Sequence, residues 1–178
     1  MILMLATSGG RYAENMQNEV IKIRKAKAAD LTGINNVIDA AINTWNLSDR
    51  VKRLSLPSYH YSLQDLDAME LMVAENSQQQ ITGLAAWDRA DPKDTPPGKN
   101  ILLLHGIYVD PPHQREGIGS QLLAAAEQAA HAKGYDGLLV KAQTSAQGFF
   151  KAQGMEPLKV ENEGRDYTHR YWKLIKER

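Results

Sequence analysis

The stretch Ile101–Val109 is almost wholly apolar and stops at Asp110-Pro111-Pro112. Proline cannot donate to a strand ladder, so the strand it predicts ends there. Ile118, Leu122, Leu123, Ala126 and Ala129 then trace one face of a helix, with Gly134 placed to cap its end. Gly137–Gln143 reads as a second buried strand. A strand, a helix and a strand in this order predict a crossover unit with parallel strands, and such connections are right-handed. Whatever else the chain builds must be arranged around that unit.

The link between the first strand and the helix is Gln114-Arg115-Glu116-Gly117-Ile118-Gly119-Ser120. The opening amides of a helix have no internal partners, and the macrodipole adds positive potential at the same end. Together they suit an anion, phosphate above all. Glycines at 117 and 119 permit turn geometry and close approach of the backbone, and Arg115 adds a charge. No Walker-type lysine follows the glycines. The dinucleotide fingerprint is incomplete, because Ser120-Gln121-Leu122 follows Gly119. The residues alone leave two readings: a phosphate cradle, or a glycine-rich helix start with no ligand.

The flanking sequence predicts a mixed α/β domain. Val20–Arg24 alternates as a half-exposed strand, and Asp30 stands as the N-cap of a helix whose stripe is Leu31, Ile34, Val37, Ile38, Ala41 and Ile42. Residues 44–68, with Trp45, Pro57, Tyr59, His60 and Tyr61, predict one or two short helices and loops. Leu71–Glu75 and Ile81–Asp88 form a hairpin around a polar turn, and 89–100 is an exposed loop. A short helix at Ala146–Gln153 precedes a late hairpin, Met155–Val160 with Thr168–Ile175. Asp166–Arg170 reads as a solvated strand.

The chain has 178 residues, suited to one domain. Residues 1–19 are expected to be a loosely organised extension, with Met16 as a candidate start, and 20–178 the domain. Lys plus Arg equals Asp plus Glu at 21 each, which argues against a nucleic-acid partner. The chain has no cysteine, which excludes disulfides, zinc–thiolate sites and a cysteine nucleophile, and fits a cytoplasmic protein. No apolar run approaches the roughly 18 residues of a membrane helix, and no membrane association is expected. The histidines show no metal-ligand spacing. An exposed edge strand would allow a homodimer.

The segment Leu103–Pro111, the turn Gln114-Arg115-Glu116-Gly117-Ile118-Gly119 and the helix after it resemble the GNAT superfamily of N-acetyltransferases. Gln114, Gly117 and Gly119 match its Gln/Arg-x-x-Gly-x-Gly/Ala signature. Ala146-x-x-Phe149-Phe150-x-x-x-Gly154-Met155 resembles its later Ala-x-x-Phe-Tyr-x-x-x-Gly-Phe motif, and Val20–Asp30 its usual opening. The resemblance covers about residues 20–160 and is densest from 101 to 155. It implies a single domain with a mostly antiparallel sheet flanked by helices and a bulged central strand, a position that Gly106 suits.

The resemblance also implies a function. An acetyl group passes from acetyl-CoA to a primary amine, carried by a small molecule or a peptide, by direct attack on the thioester. No metal takes part. The cofactor residues would be Ile107, Tyr108 and Val109 on the strand, Gln114, Arg115, Glu116, Gly117, Ile118, Gly119 and Ser120 in the turn, and Gln143, Phe149 and Phe150 beyond. A strand amide within 107–109 would polarise the thioester carbonyl. His105 would be the base, since imidazole titrates near neutral pH. The leaving thiolate usually receives its proton from a tyrosine where this chain has Phe150, which has none to give. Tyr108, Tyr167 and Tyr171 are the replacements, Tyr108 first, unless the thiolate leaves without an acid. Trp45, Tyr59 and Tyr61 would shape acceptor choice. The departure at Phe150 keeps a second reading in view: a non-catalytic acyl-CoA-binding regulatory module.

Overall fold

The computed structural model describes residues 20–164 and 166–175. The extension expected at 1–19, Met16 included, lies outside the described residues. Strand β1 (Lys22–Lys25) leads through a turn of 3₁₀ helix into α1 (Leu31–Asn43). The expected side-chain cap of α1 by Asp30 is not made. The Asp30 carboxylate turns back instead, accepting the Lys27 amide at 2.7 Å and two bonds from the Arg24 guanidinium at 2.7 and 2.9 Å. Arg24 also bonds Glu75, so a charged fork outcompetes the neutral cap.

Helices α2 (Asp49–Tyr59) and α3 (Leu63–Ala68) occupy the aromatic region and bury no residue fully. Asn35 ties them down: its amide side chain exchanges two bonds with the Tyr61 backbone, at 2.9 and 3.0 Å. The hairpin β2 (Glu70–Glu75) and β3 (Ile81–Arg89) follows as expected. The crossover unit is β4 (Ile101–Val109), α4 (Ile118–Ala132) and β5 (Gly137–Lys141). Gly134, at φ +70°, ends α4 in a Schellman turn, with Tyr135 N–H donating to Ala130 and Gly134 N–H to His131. The chain closes with α5 (Gln147–Ala152), β6 (Glu156–Pro157) and β7 (Arg170–Leu174).

The seven strands form one sheet in the order β1-β2-β3-β4-β5-β7-β6. Every pair is antiparallel except β4–β5. The late hairpin is shorter than expected, because its arm leaves the sheet to carry a buried ion pair. Asp166 and Arg170, read from sequence as a solvated strand, are 7% and 4% exposed and 3.0 Å apart. Asp166 also accepts the amides of Glu161 and Asn162, fixing the loop that bears Tyr167.

The decisive irregularity is in β4. Its pairing with β3 runs from Val109 opposite Gly83 to Gly106 opposite Ala86, then jumps to Leu104 opposite Trp87. His105 is the extra, unpaired residue of a β-bulge, one position before the expected Gly106. The bulge resets the alternation of faces. Leu102 and Leu104 pack under α4, and so do Ile107 and Val109, although 104 and 107 differ by an odd number. Tyr108 turns to the α1 side, with Leu84 and Ala86. The parallel pairing with β5 stops at Leu104 opposite Val140, so β4 and β5 part beyond the bulge. Among the described residues no helix is long and apolar enough to cross a membrane.

Candidate functional site

The turn after β4 is held at both ends. Asp110 donates its amide to Thr82 on β3 at 2.9 Å, and the Gln114 side chain donates to the Val109 carbonyl at 3.3 Å. Arg115 at φ +67° and Gly117 at φ +83° are left-handed, which wraps the chain tightly into α4. Gly117 is the N-cap and has no side-chain cap, so the first amides of α4 stay without one. A Cβ on Gly117 would meet nothing within 4 Å: the space beside those amides is open. Gly119 plays another part. A Cβ there would come within 3.3 Å of the Phe149 ring, so this glycine lets α5 close against the start of α4. Gln153 donating to the Ser120 hydroxyl at 3.0 Å holds that closure.

The parting of β4 and β5 opens a cleft of ≈ 1060 Å³. Of the residues expected to bind the cofactor, all but Glu116 line it. Glu116 is exposed and pairs with His113 Nδ1 at 3.3 Å instead. Alternation along β4 sorts the strand residues. Asp110 donates toward β3, so Tyr108 does too, while the amides of Ile107 and Val109 face the gap. Tyr108 therefore offers the cleft its ring and not its amide. That ring lies over Gly106, where a Cβ would stand 2.8 Å from Tyr108 Cε2. Burial raises the Tyr108 hydroxyl well above the usual phenol range, with Tyr61 and Tyr59 adding to the effect. A phenol so raised is a weak acid toward a thiolate.

The other tyrosines divide clearly. Tyr171 is buried and donates to Gln147 at 2.7 Å, away from the cleft, whereas Tyr167 lines the cleft and is 40% exposed. Phe149 and Phe150 meet edge to face with centroids 5.1 Å apart. Phe149 is half-buried on the cleft, and Phe150 is 3% exposed in the core behind it.

His105 lines the cleft on the α1 side, and its Nε2 lies 2.9 Å from Asp88 Oδ1. A carboxylate only accepts, so in the neutral ring Nε2 carries the hydrogen and Nδ1 keeps its lone pair. Asp88 was invisible in the sequence, because its position beside His105 depends on the bulge. Trp45 and Tyr59 also line the cleft, edge to face at 5.5 Å, while Tyr61 packs behind them. His113 reaches the cleft as well. His60 does not, and binds Asp39 at 2.5 Å.

Solved structures share this fold. An N-acetyltransferase, PaiA, from Thermoplasma acidophilum, solved with coenzyme A, superposes with a TM-score of 0.71 at 16% identity, covering 87% of this chain and 99% of that one. A GNAT-family acetyltransferase from Staphylococcus aureus Mu50 gives 0.66 at 20% identity, covering 88% and 100%. One from Brucella melitensis, solved with acetyl-CoA, gives 0.61 at 20%, covering 89% and 90%. At these identities the likeness is one of fold. No functionally curated protein matches the sequence. The model of the acetyltransferase (GNAT) family matches residues 39–155, which include α2, β4, the glycine turn and α5. On that match and this fold, the chain belongs to the GNAT family of acetyltransferases.

Proposed function

We propose that this protein moves an acetyl group from acetyl-CoA to a primary amine by direct attack on the thioester. The observation that carries the reading is one continuous cleft joining the open amides at the start of α4, the free amides of β4 and the imidazole of His105. The residues fit the cofactor. The turn offers unpartnered amides, open space at Gly117 and the Arg115 cation to a diphosphate. The gap between β4 and β5 opens where their pairing stops, lined by Ile107, Phe149 and Ala142.

Bound acetyl-CoA supplies an activated acyl group. The chain's own residues do the rest. The amides of 118–120 hold the diphosphate. Ile107 N–H or Val109 N–H, which face the gap, would polarise the thioester carbonyl as it gains charge. His105 takes the proton of the attacking ammonium on Nδ1, and Asp88 fixes its tautomer and orientation. Tyr167, exposed on the cleft, replaces the expected Tyr108 as the hydroxyl nearest to the role of proton donor.

The test is thiol release from acetyl-CoA with a panel of amines, beside calorimetry of acetyl-CoA binding. His105→Ala is expected to lower kcat by roughly 10²–10⁴-fold and leave the cofactor affinity unchanged. Asp88→Ala should lower kcat in the same direction by less. Tight binding without release on any amine would leave the acyl-CoA-binding module as the better reading, which the apolar Phe150 already favours.

A further inference from the structure

Resting on that acetyl-transfer reading, we infer that the acceptor is a primary amine on an aromatic or flat apolar body with no second charge. The cleft has two sides, set by the bulge. Ile107, Val109 and Phe149 belong to the α4 side, with the open amides. On the α1 side it is walled by Thr44, Trp45, Asn46, Tyr59, His105 and Tyr108. With the first side given to the cofactor, the second receives the amine, and His105 stands between them.

The shape of that second side is aromatic. Trp45 and Tyr59 meet at 88°, forming a corner, and the Tyr108 ring occupies the space beside the side-chain-free Gly106 as a floor. Asn35 clamps the Tyr61 backbone behind it through two bonds. A substrate ring in such a corner can meet one wall edge to face and the other offset, the arrangements that aromatic pairs prefer.

The charges point the same way. Among the described residues, no aspartate or glutamate lines the cleft, and its lysine and arginine are Lys141 and Arg115. Arg115 belongs to the turn. Lys141 is held at 2.8 Å by Asp94, whose carboxylate is 12% exposed. Recruiting Lys141 to a substrate carboxylate would strand that buried charge. The nearby acids are also engaged, Asp88 with His105 and Asp39 with His60. Among the described residues, a polyamine thus finds no carboxylate in the cleft for its second ammonium, and an amino acid finds no free cation there for its carboxylate. A neutral aromatic body needs neither.

The experiment compares 2-phenylethylamine and tryptamine with spermidine, lysine and a short peptide carrying a free N-terminus. The aromatic amines are expected to show the highest kcat/KM. Trp45→Leu and Tyr59→Leu should each raise the KM for tryptamine roughly tenfold, with acetyl-CoA affinity by calorimetry unchanged. With CoA present, tryptamine should raise the melting temperature of the wild type more than spermidine does, a readout that needs no turnover. Should one leucine variant fail to fold, the other and the melting shift decide. Preference for spermidine, lysine or the peptide, or no turnover of aromatic amines by a protein that binds acetyl-CoA, overturns the inference while the cofactor site stands. Failure to bind acetyl-CoA overturns the reading beneath it.

Discussion

Gly117→Glu separates the cost of the turn's shape from the chemistry of its open face. Gly117 sits at φ +83°, and a Cβ there meets no atom within 4 Å. The space around that Cβ is open, so the substitution pays chiefly in backbone conformation, about 1–2 kcal/mol for a residue with a Cβ in the left-handed region. In a domain of this size that lowers the melting temperature by roughly 2–8 °C. Gly117→Ala carries the same cost and no charge. The glutamate adds a carboxylate beside the amides proposed to hold a diphosphate. At about 5 Å and an effective dielectric near 20, one such pair of like charges repels by about 3 kcal/mol, or roughly a hundredfold in Kd. The two variants should therefore melt alike but bind CoA very differently. Calorimetric titration of CoA into both, beside thermal denaturation, reads the contrast. A glutamate variant that binds CoA within a few-fold of the alanine variant would refute the placement of the diphosphate at this turn.

Two further outcomes concern the scaffold. The Arg24 guanidinium holds the Asp30 and Glu75 carboxyls below their usual range, chiefly through its hydrogen bonds. Depressed carboxyl values stabilise the fold above the unfolded range near pH 4, and that stability is lost as pH falls through the folded values. Arg24→Gln should thus lower stability at pH 7, by about 1–3 kcal/mol for its bonds to Asp30, and the gap should close below pH 4. A gap that persists in acid by urea denaturation would show that the loss is one of packing. At Gly137, a Cβ would fall onto the Lys173 carbonyl oxygen and lie 3.2 Å from Leu174 Cα. Both are backbone of β7 and cannot swing aside, so Gly137→Ala should cost about 2–4 kcal/mol by the same assay, and a smaller loss would mean that β7 slides freely.

Much of this was legible in the residues, for reasons that differ by region. The crossover could be read because each part carries its own local signal: an apolar run, a proline stop, a glycine turn and a 3.6-residue stripe. The helix stripe at Ile34, Val37, Ile38, Ala41 and Ile42 is buried as its spacing predicts. Asp30 and Asp166 misled because their partners are remote. A short polar residue before a stripe reads as a cap, and alternating charges read as a solvated strand, unless one knows that an arginine lies within reach. The burial of Asp166 with Arg170 is a fact of tertiary structure, as is the short β6 that goes with it.

The candidate site was legible only as far as the strand's alternation could be trusted. A strict period of two from Leu102 would put Leu104, Gly106 and Tyr108 on one face and His105, Ile107 and Val109 on the other. The bulge breaks that rule at one residue. Leu104 stays with α4, and His105 is freed from pairing to reach Asp88 on the opposite side. Gly106 and Tyr108 then follow to the α1 face, and Ile107 and Val109 return to α4. One extra residue thus does three things at once. It parts β4 from β5, aims the amides of Ile107 and Val109 into the gap, and places an imidazole beside a carboxylate where a regular strand would have paired its backbone. No composition or periodicity marks such a position, because Gly106 permits the bulge without specifying which neighbour is extruded. That is why the residues proposed to hold the cofactor could be named from local pattern, while Asp88, two residues past the obvious Ala85-Ala86 core, emerged only with the register.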